Sequence, residues 1–177
     1  MQNWKDLYTE LSGLISSQLP SVRWIDLWHN QVNFLDSEHP FPVPAVFLSF
    51  VSQDITDTGT RVQQVDLQVD VYLFYETFAD TYQGAWNQAS ALDFLDTLNG
   101  LQSILHASSG DNYSAMRRVS FDPVDTGNAG NIYRTSFQCL MTDYAAQRAY
   151  EDSTLYDMEI IRQDLPPVEH DNGFIIT

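Results

Sequence analysis

Val65, Leu67, Val69, Val71 and Leu73 alternate with Gln64, Asp66, Gln68, Asp70 and Tyr72. Successive side chains of a strand point to opposite faces. This period of two therefore predicts a long strand over 61–74, with one face in a core and one face wet. The wet face would carry Asp66 and Asp70 beside Gln64 and Gln68. Downstream the period changes. Ala91, Phe94, Leu98, Leu101 and Leu105 recur by threes and fours, and Leu92 and Leu95 widen the stripe. That predicts an amphipathic helix over 86–106, ended by Ser108-Ser109-Gly110.

Weaker patterns fill in the rest. Asn3 caps a first helix, with Asp6 near its positive end, and Leu7, Leu11, Leu14 and Ile15 form its apolar stripe up to Pro20. Residues 22–28 alternate as a strand, with Ile25 and Leu27 on one face and Trp24, Asp26 and Trp28 on the other. Residues 30–44 read as a loop with prolines at 40, 42 and 44. Residues 45–51 read as a short buried strand, and 52–60 as a polar loop. Residues 115–121 form a strand whose adjacent Arg117 and Arg118 point to opposite faces. Residues 132–141 form another, with Tyr133, Thr135, Phe137 and Cys139 on one face. The order is α-β-β-β-α-β-β. The connections look too short for crossover helices, so the expected fold is α+β: a mainly antiparallel sheet of four to five strands with two helices on one face.

That domain is expected to occupy residues 1–145. Residues 146–177 differ. They mix acidic residues with apolar ones, offer one strand-like stretch at 158–162, break at Pro166-Pro167 and end in Phe174-Ile175-Ile176-Thr177. This is too apolar for a solvated tail and too interrupted for a domain. It reads as an arm that docks on its own domain or on a neighbouring subunit. Its candidate interface residues are Tyr150, Met158, Ile160, Ile161, Phe174, Ile175 and Ile176.

Charge narrows the functional classes. The 177 residues hold 24 acidic and 8 basic side chains, a formal net charge of −16. Such a surface repels anionic lipid and has too few cations to release counterions from DNA, which argues against specific nucleic-acid binding. No apolar run approaches the ~18 residues of a membrane span. The N-terminal residues lack the basic-then-apolar order of a secretion signal. Cys139 is the sole cysteine, which rules out an internal disulfide and suits folding in a reducing cytoplasm.

Candidate chemistry is sparse. Asp-Thr-Gly occurs at 57–59 and 125–127, the triplet of aspartic proteases, whose paired carboxylates share one proton. Neither aspartate follows an apolar strand directly, and such enzymes need nearly twice this length, so both triplets read as turns. His29, His39, His106 and His170 have no partner at metal-ligand spacing. The pairs Asp54/Asp57 and Asp122/Asp125 lack a calcium-loop pattern. Neither a phosphate loop nor a nucleophile elbow is present. The expectation is a non-enzymatic protein without cofactor or metal. The face bearing Trp24 and Trp28 is either covered by the first helix or part of an interface.

The order of elements resembles a known family. A leading helix, the buried strand after Pro44, a polar Asp/Thr/Gly segment, the long strand of 61–74, a central helix and a closing hairpin over 116–141 are similar to tail-terminator and tail-completion proteins of long-tailed bacteriophages. The resemblance covers roughly residues 3–145. It implies a virion protein, made in the host cytoplasm, that forms a homo-oligomeric ring, commonly of six copies. Such a ring joins the tail tube to other tail or connector proteins and lets DNA pass without specific binding. Asp54, Asp57, Asp66 and Asp70 are the candidate acids bordering a channel or rim. The competing reading is a cellular α+β module that binds a small ligand or peptide.

Overall fold

A computed structural model of the chain describes residues 2–34, 41–76, 81–125 and 131–147. The elements run α1 (Gln2–Gln18), β1 (Trp24–Leu27), a 3-10 turn (Gln31–Phe34), β2 (Ala45–Gly59), β3 (Val62–Tyr75), α2 (Gln88–Ala91), α3 (Asp93–Leu105), β4 (Arg117–Val124) and β5 (Asn131–Asp143). The five strands form one sheet in the order β1-β2-β3-β5-β4. The fold is α+β, as the periodicities indicate. The expected interface residues Tyr150, Met158, Ile160, Ile161, Phe174, Ile175 and Ile176 lie outside the described residues.

The alternation in β3 sets the core. Val65, Leu67, Val69, Val71 and Leu73 are buried on the face that meets Leu7, Leu11 and Ile15 of α1 and Phe94, Leu98, Leu101 and Leu105 of α3. Phe137, Cys139 and Met141 of β5 join them opposite Val69, Leu67 and Val65. Large apolar side chains stabilise by roughly 1.5–3 kcal/mol each when fully buried, and this cluster is the main source of stability. Both helices lie on this one face.

Four local expectations are corrected. The sheet is mixed: β1 runs parallel to β2, with Trp24 opposite Ala45 and Leu27 opposite Leu48. Residues 28–44 are long enough to cross over a sheet face without a helix. Second, residues 52–59 are strand, not loop. They pair with β3 out to Gly59 opposite Val62, with irregularities at 52/54 and 57/59. Thr60-Arg61 closes the hairpin, with Arg61 in the left-handed region at φ 64°. Third, the central helix is bent at Leu92, where α2 gives way to α3, and it ends in an extended His106 rather than at Ser108–Gly110. Fourth, Asn3 lies inside α1. Its side-chain amide reaches the Thr142 carbonyl and Asp143 Oδ1, both at 3.0 Å, and pins the helix to the end of β5.

Gly110 has a different role from a helix stop. Glu10 of α1 accepts hydrogen bonds from the Asp111 amide (2.8 Å), the Asn112 amide (3.2 Å) and Asn112 Nδ2 (2.8 Å). A Cβ at position 110 would lie 1.8 Å from Glu10 Oε1, so only glycine leaves room for this tie between α1 and the chain entering β4.

Candidate functional surface

The second face of the sheet divides in two. Its upper part is dry. Ala45, Phe47, Phe74, Ile132 and Val32 form a separate buried cluster, packed by Trp28, Phe41, Val43 and Tyr72. Residues from the β1–β2 crossover lie over this part. Trp28 stacks on Tyr72 with ring centroids 4.2 Å apart, and Trp24 stacks on Phe41 at 6.5 Å. The tryptophans thus share a face as their spacing indicates, but crossover residues cover it rather than α1.

This cover corrects the position of Asp70. It is only 5% exposed and does not stand on a wet face. Its Oδ1 accepts from Ser136 Oγ at 2.5 Å and from Gln68 Nε2 at 2.9 Å. The Arg134 guanidinium lies near enough to interact with it electrostatically, and Arg134 also bridges to Asp122 at 3.4 Å. A buried carboxylate needs such partners to remain favourable. Asp70 is therefore a structural anchor of the sheet within the single chain.

The lower part of the same face is open. Asp66 is exposed and stands directly opposite Asp54 across the β2–β3 ladder. Like charges opposed across strands are destabilising. Around them lies a row of amides. Gln53 Nε2 donates to Gln68 Oε1 at 3.0 Å, Gln68 pairs in register with Gln138, and Arg117 Nη2 donates to Gln138 Oε1 at 3.1 Å. Val51 and Leu140 are exposed among them. The result is a flat, mostly polar strip across four strands, with two carboxylates facing each other at its β2 end.

Asp57 belongs elsewhere. It pairs with Gln63 on the helix-side face and accepts from Gln63 Nε2 at 2.9 Å. Asp54 and Asp57 point to opposite faces and do not converge on one cation. Asp122 is engaged by Arg134. The two Asp-Thr-Gly aspartates sit at opposite ends of the sheet. Asp57 is level with Gln63 of β3, while the residue before Asp125 is level with Ile132 and hence Phe74. At ~3.3 Å per strand residue that places them on the order of 35 Å apart, too far to share a proton. Among the described residues no three His, Cys, Asp or Glu side chains gather as metal ligands. Ser136 Oγ donates to the buried Asp70 carboxylate. Among the described residues no helix is long and apolar enough to cross a membrane.

Burial pushes the Cys139 thiol up to about 11, with a smaller push from the Asp66 charge. It is a protonated core residue at neutral pH.

Sequence reasoning missed two exposed features. Trp86, at the loop entering α2, is 92% exposed. The outer run of β2, residues 51–59, is exposed throughout, including Ile55 on the helix-side face. Its alternation was disguised by the run of polar residues around Ile55. No protein-family model matches the chain, and no curated protein matches it.

Proposed function

We propose that this protein is a non-enzymatic structural component of a bacteriophage virion, forming a ring at the head-tail junction or tail end through which DNA passes. The observation that carries the reading is the outer β2–β3 hairpin. It extends the sheet beyond the buried part of β2 and leaves residues 51–59 exposed. There it places Asp54 opposite Asp66 at a cost to stability. The outer run of β2 buries no side chain of its own and so contributes little to an isolated domain, although its partner β3 carries Val65 and Leu67 into the core. In a ring it offers main-chain edges and Val51 and Ile55 to a neighbour, while its carboxylates repel DNA phosphates over about a Debye length, ~8 Å at physiological salt. Asp54 and Asp66 are the rim acids this reading retains. Asp57 lies on the other face of the hairpin, and Asp70 is withdrawn from the set. The polar strip beside the rim carries Arg117 alongside its amides, and at −16 overall the chain favours passage over retention.

Sedimentation of the purified chain over a range of concentrations tests this. The expected result is a discrete closed ring, six copies being the expected number, with no shift of double-stranded DNA at physiological salt. Tight DNA binding, or a monomer that stays monomeric at every concentration, contradicts it. A monomer that instead captures a small molecule or peptide favours the binding-module reading.

A further inference from the structure

Among the described residues the sheet has two long stretches of unpaired edge, and their chemistry differs. The free edge of β2 beyond Leu48 carries Asp54 and Asp57 and no cation. The opposite edge, β4, carries Arg117 and Arg118, with Val119 and Phe121 exposed. These arginines sit on a chain with only 8 basic side chains. Each bonds to an amide oxygen, Arg117 to Gln138 and Arg118 to Gln102. Among the described residues neither forms an ion pair.

Beside this edge runs a groove of about 280 Å³ between α3 and β4. Leu95, Leu98, Gln102, Arg118, Phe121 and Thr135 line it. Leu95 and Phe121 are exposed apolar side chains on its walls. The Arg118 amide is already capped by His106 Nδ1 at 3.3 Å, so the free part of the edge starts after it. An uncovered edge strand with an apolar groove alongside is a template for an added strand.

We propose that residues 157–162 of this same chain dock as an added strand on the outer edge of β4. Three facts select this occupant. Thirty residues, 148–177, lie beyond the described chain. The strand-like stretch with acidic side chains among them is Asp157-Met158-Glu159-Ile160-Ile161-Arg162, with two acids, one arginine and three apolar residues. The described chain also departs close to β4: Tyr144 lines a surface groove with Asn112, Tyr113 and Ser114, the residues leading into that strand. The linker from Gln147 to Asp157 spans up to about 33 Å when extended, and β4 is about 26 Å long, so the segment reaches the edge without leaving its own domain.

Strand alternation then sorts the side chains. Met158 and Ile160 fall on one face and enter the α3–β4 groove with Phe121. Asp157, Glu159 and Ile161 fall on the other, the open face where Arg117 stands, and Arg162 follows Met158 and Ile160. The acidic β2 edge would repel the same segment. This inference concerns the single chain and does not rest on the ring reading. A ring whose arms are free, and a monomer whose arm is docked, are both distinguishable outcomes.

Hydrogen exchange measured on the full chain tests it. Residues 119–124 and 157–162 should both be protected, by the same factor after an about hundredfold dilution, since a tethered contact does not depend on concentration. Ile160→Asp, beyond the described residues, and Leu95→Glu, on an exposed helix position, should each speed exchange in both segments by about tenfold or more, with β3 unchanged. Exchange of 157–162 at the rate of an unstructured chain overturns the proposal. So does protection that fades on dilution, which assigns the contact to a second copy. Protection of 157–162 that survives Leu95→Glu and Arg117→Glu together also overturns it, because the segment then docks elsewhere.

Discussion

The inner and outer halves of the β2–β3 hairpin are built from the same two strands for different ends. In the inner half, Val46, Leu48 and Phe50 face Leu73, Val71 and Val69 beneath α1 and α3, and Ala45 and Phe47 pack under the crossover. In the outer half the ladder continues, but β2 is exposed throughout, and Asp54 meets Asp66. The inner half holds the domain together. In the outer half only the β2 run is exposed; its partner β3 still carries Val65 and Leu67 into the core beside Met141 and Cys139 of β5. A strand pattern that outruns its core is informative because burial no longer explains it.

The largest test of this contrast strikes the inner half. Val69 is fully buried between Phe50 and Phe137. Val69→Asp would place an unpaired charge there and should cost about 3–5 kcal/mol, measured by denaturant unfolding. A parent-like midpoint would show that the facing assignment is wrong. Glu10→Ala should cost about 1.5–3 kcal/mol, because three donors of Asp111 and Asn112 lose a charged acceptor. Gly110→Ala should disturb the same tie, and a double mutant no worse than the worse single variant would show that both act through it.

Alkaline pH probes the same core more gently. The folded protein holds the Cys139 proton more tightly than an unfolded chain, whose thiol titrates near 9. Folded stability is therefore full below pH 9 and declines as pH rises through about 11. Burial raises Tyr113, Tyr72 and Tyr8 in the same direction, which adds to the loss above pH 10. Cys139→Ala should flatten the part of the decline between pH 9 and 11. An unchanged slope would mean the thiol is not a buried proton store.

The outer half predicts a small effect of opposite sign. Asp54→Asn removes one of two opposed carboxylates and should stabilise the hairpin by about 0.2–1 kcal/mol, more at low salt than at high salt. A destabilisation would show that the pair is held by something other than cross-strand geometry.

Much of this architecture was legible in the sequence because two periods match two faces. Val65 to Leu73 and Phe94 to Leu105 each mark one apolar stripe, and those stripes meet. The pairing of Arg117 and Arg118 with opposite surroundings followed from strand alternation alone. What remained hidden depended on distant chain. Asp70 looks wet beside Asp66, yet crossover residues cover that part of the sheet and Ser136 and Arg134 satisfy it. Residues 52–59 look like a loop because their partner strand, not their own apolarity, makes them extended. The parallel β1 is not legible because the described part of the connection after it, residues 28–34 and 41–44, offers only a short 3-10 turn rather than a helical period. The sequence marks Asp54 and Asp66 separately, but only the register shows them facing each other.

The central claim is that the outer half serves contact with other chains while the inner half serves stability. The most direct measurement is sedimentation of Ile55→Lys alongside its unfolding midpoint. Ile55 is 51% exposed, so the account predicts an unfolding free energy within about 0.5 kcal/mol of the parent together with loss of the ring. A variant that assembles as the parent does, or one that unfolds early, would contradict it.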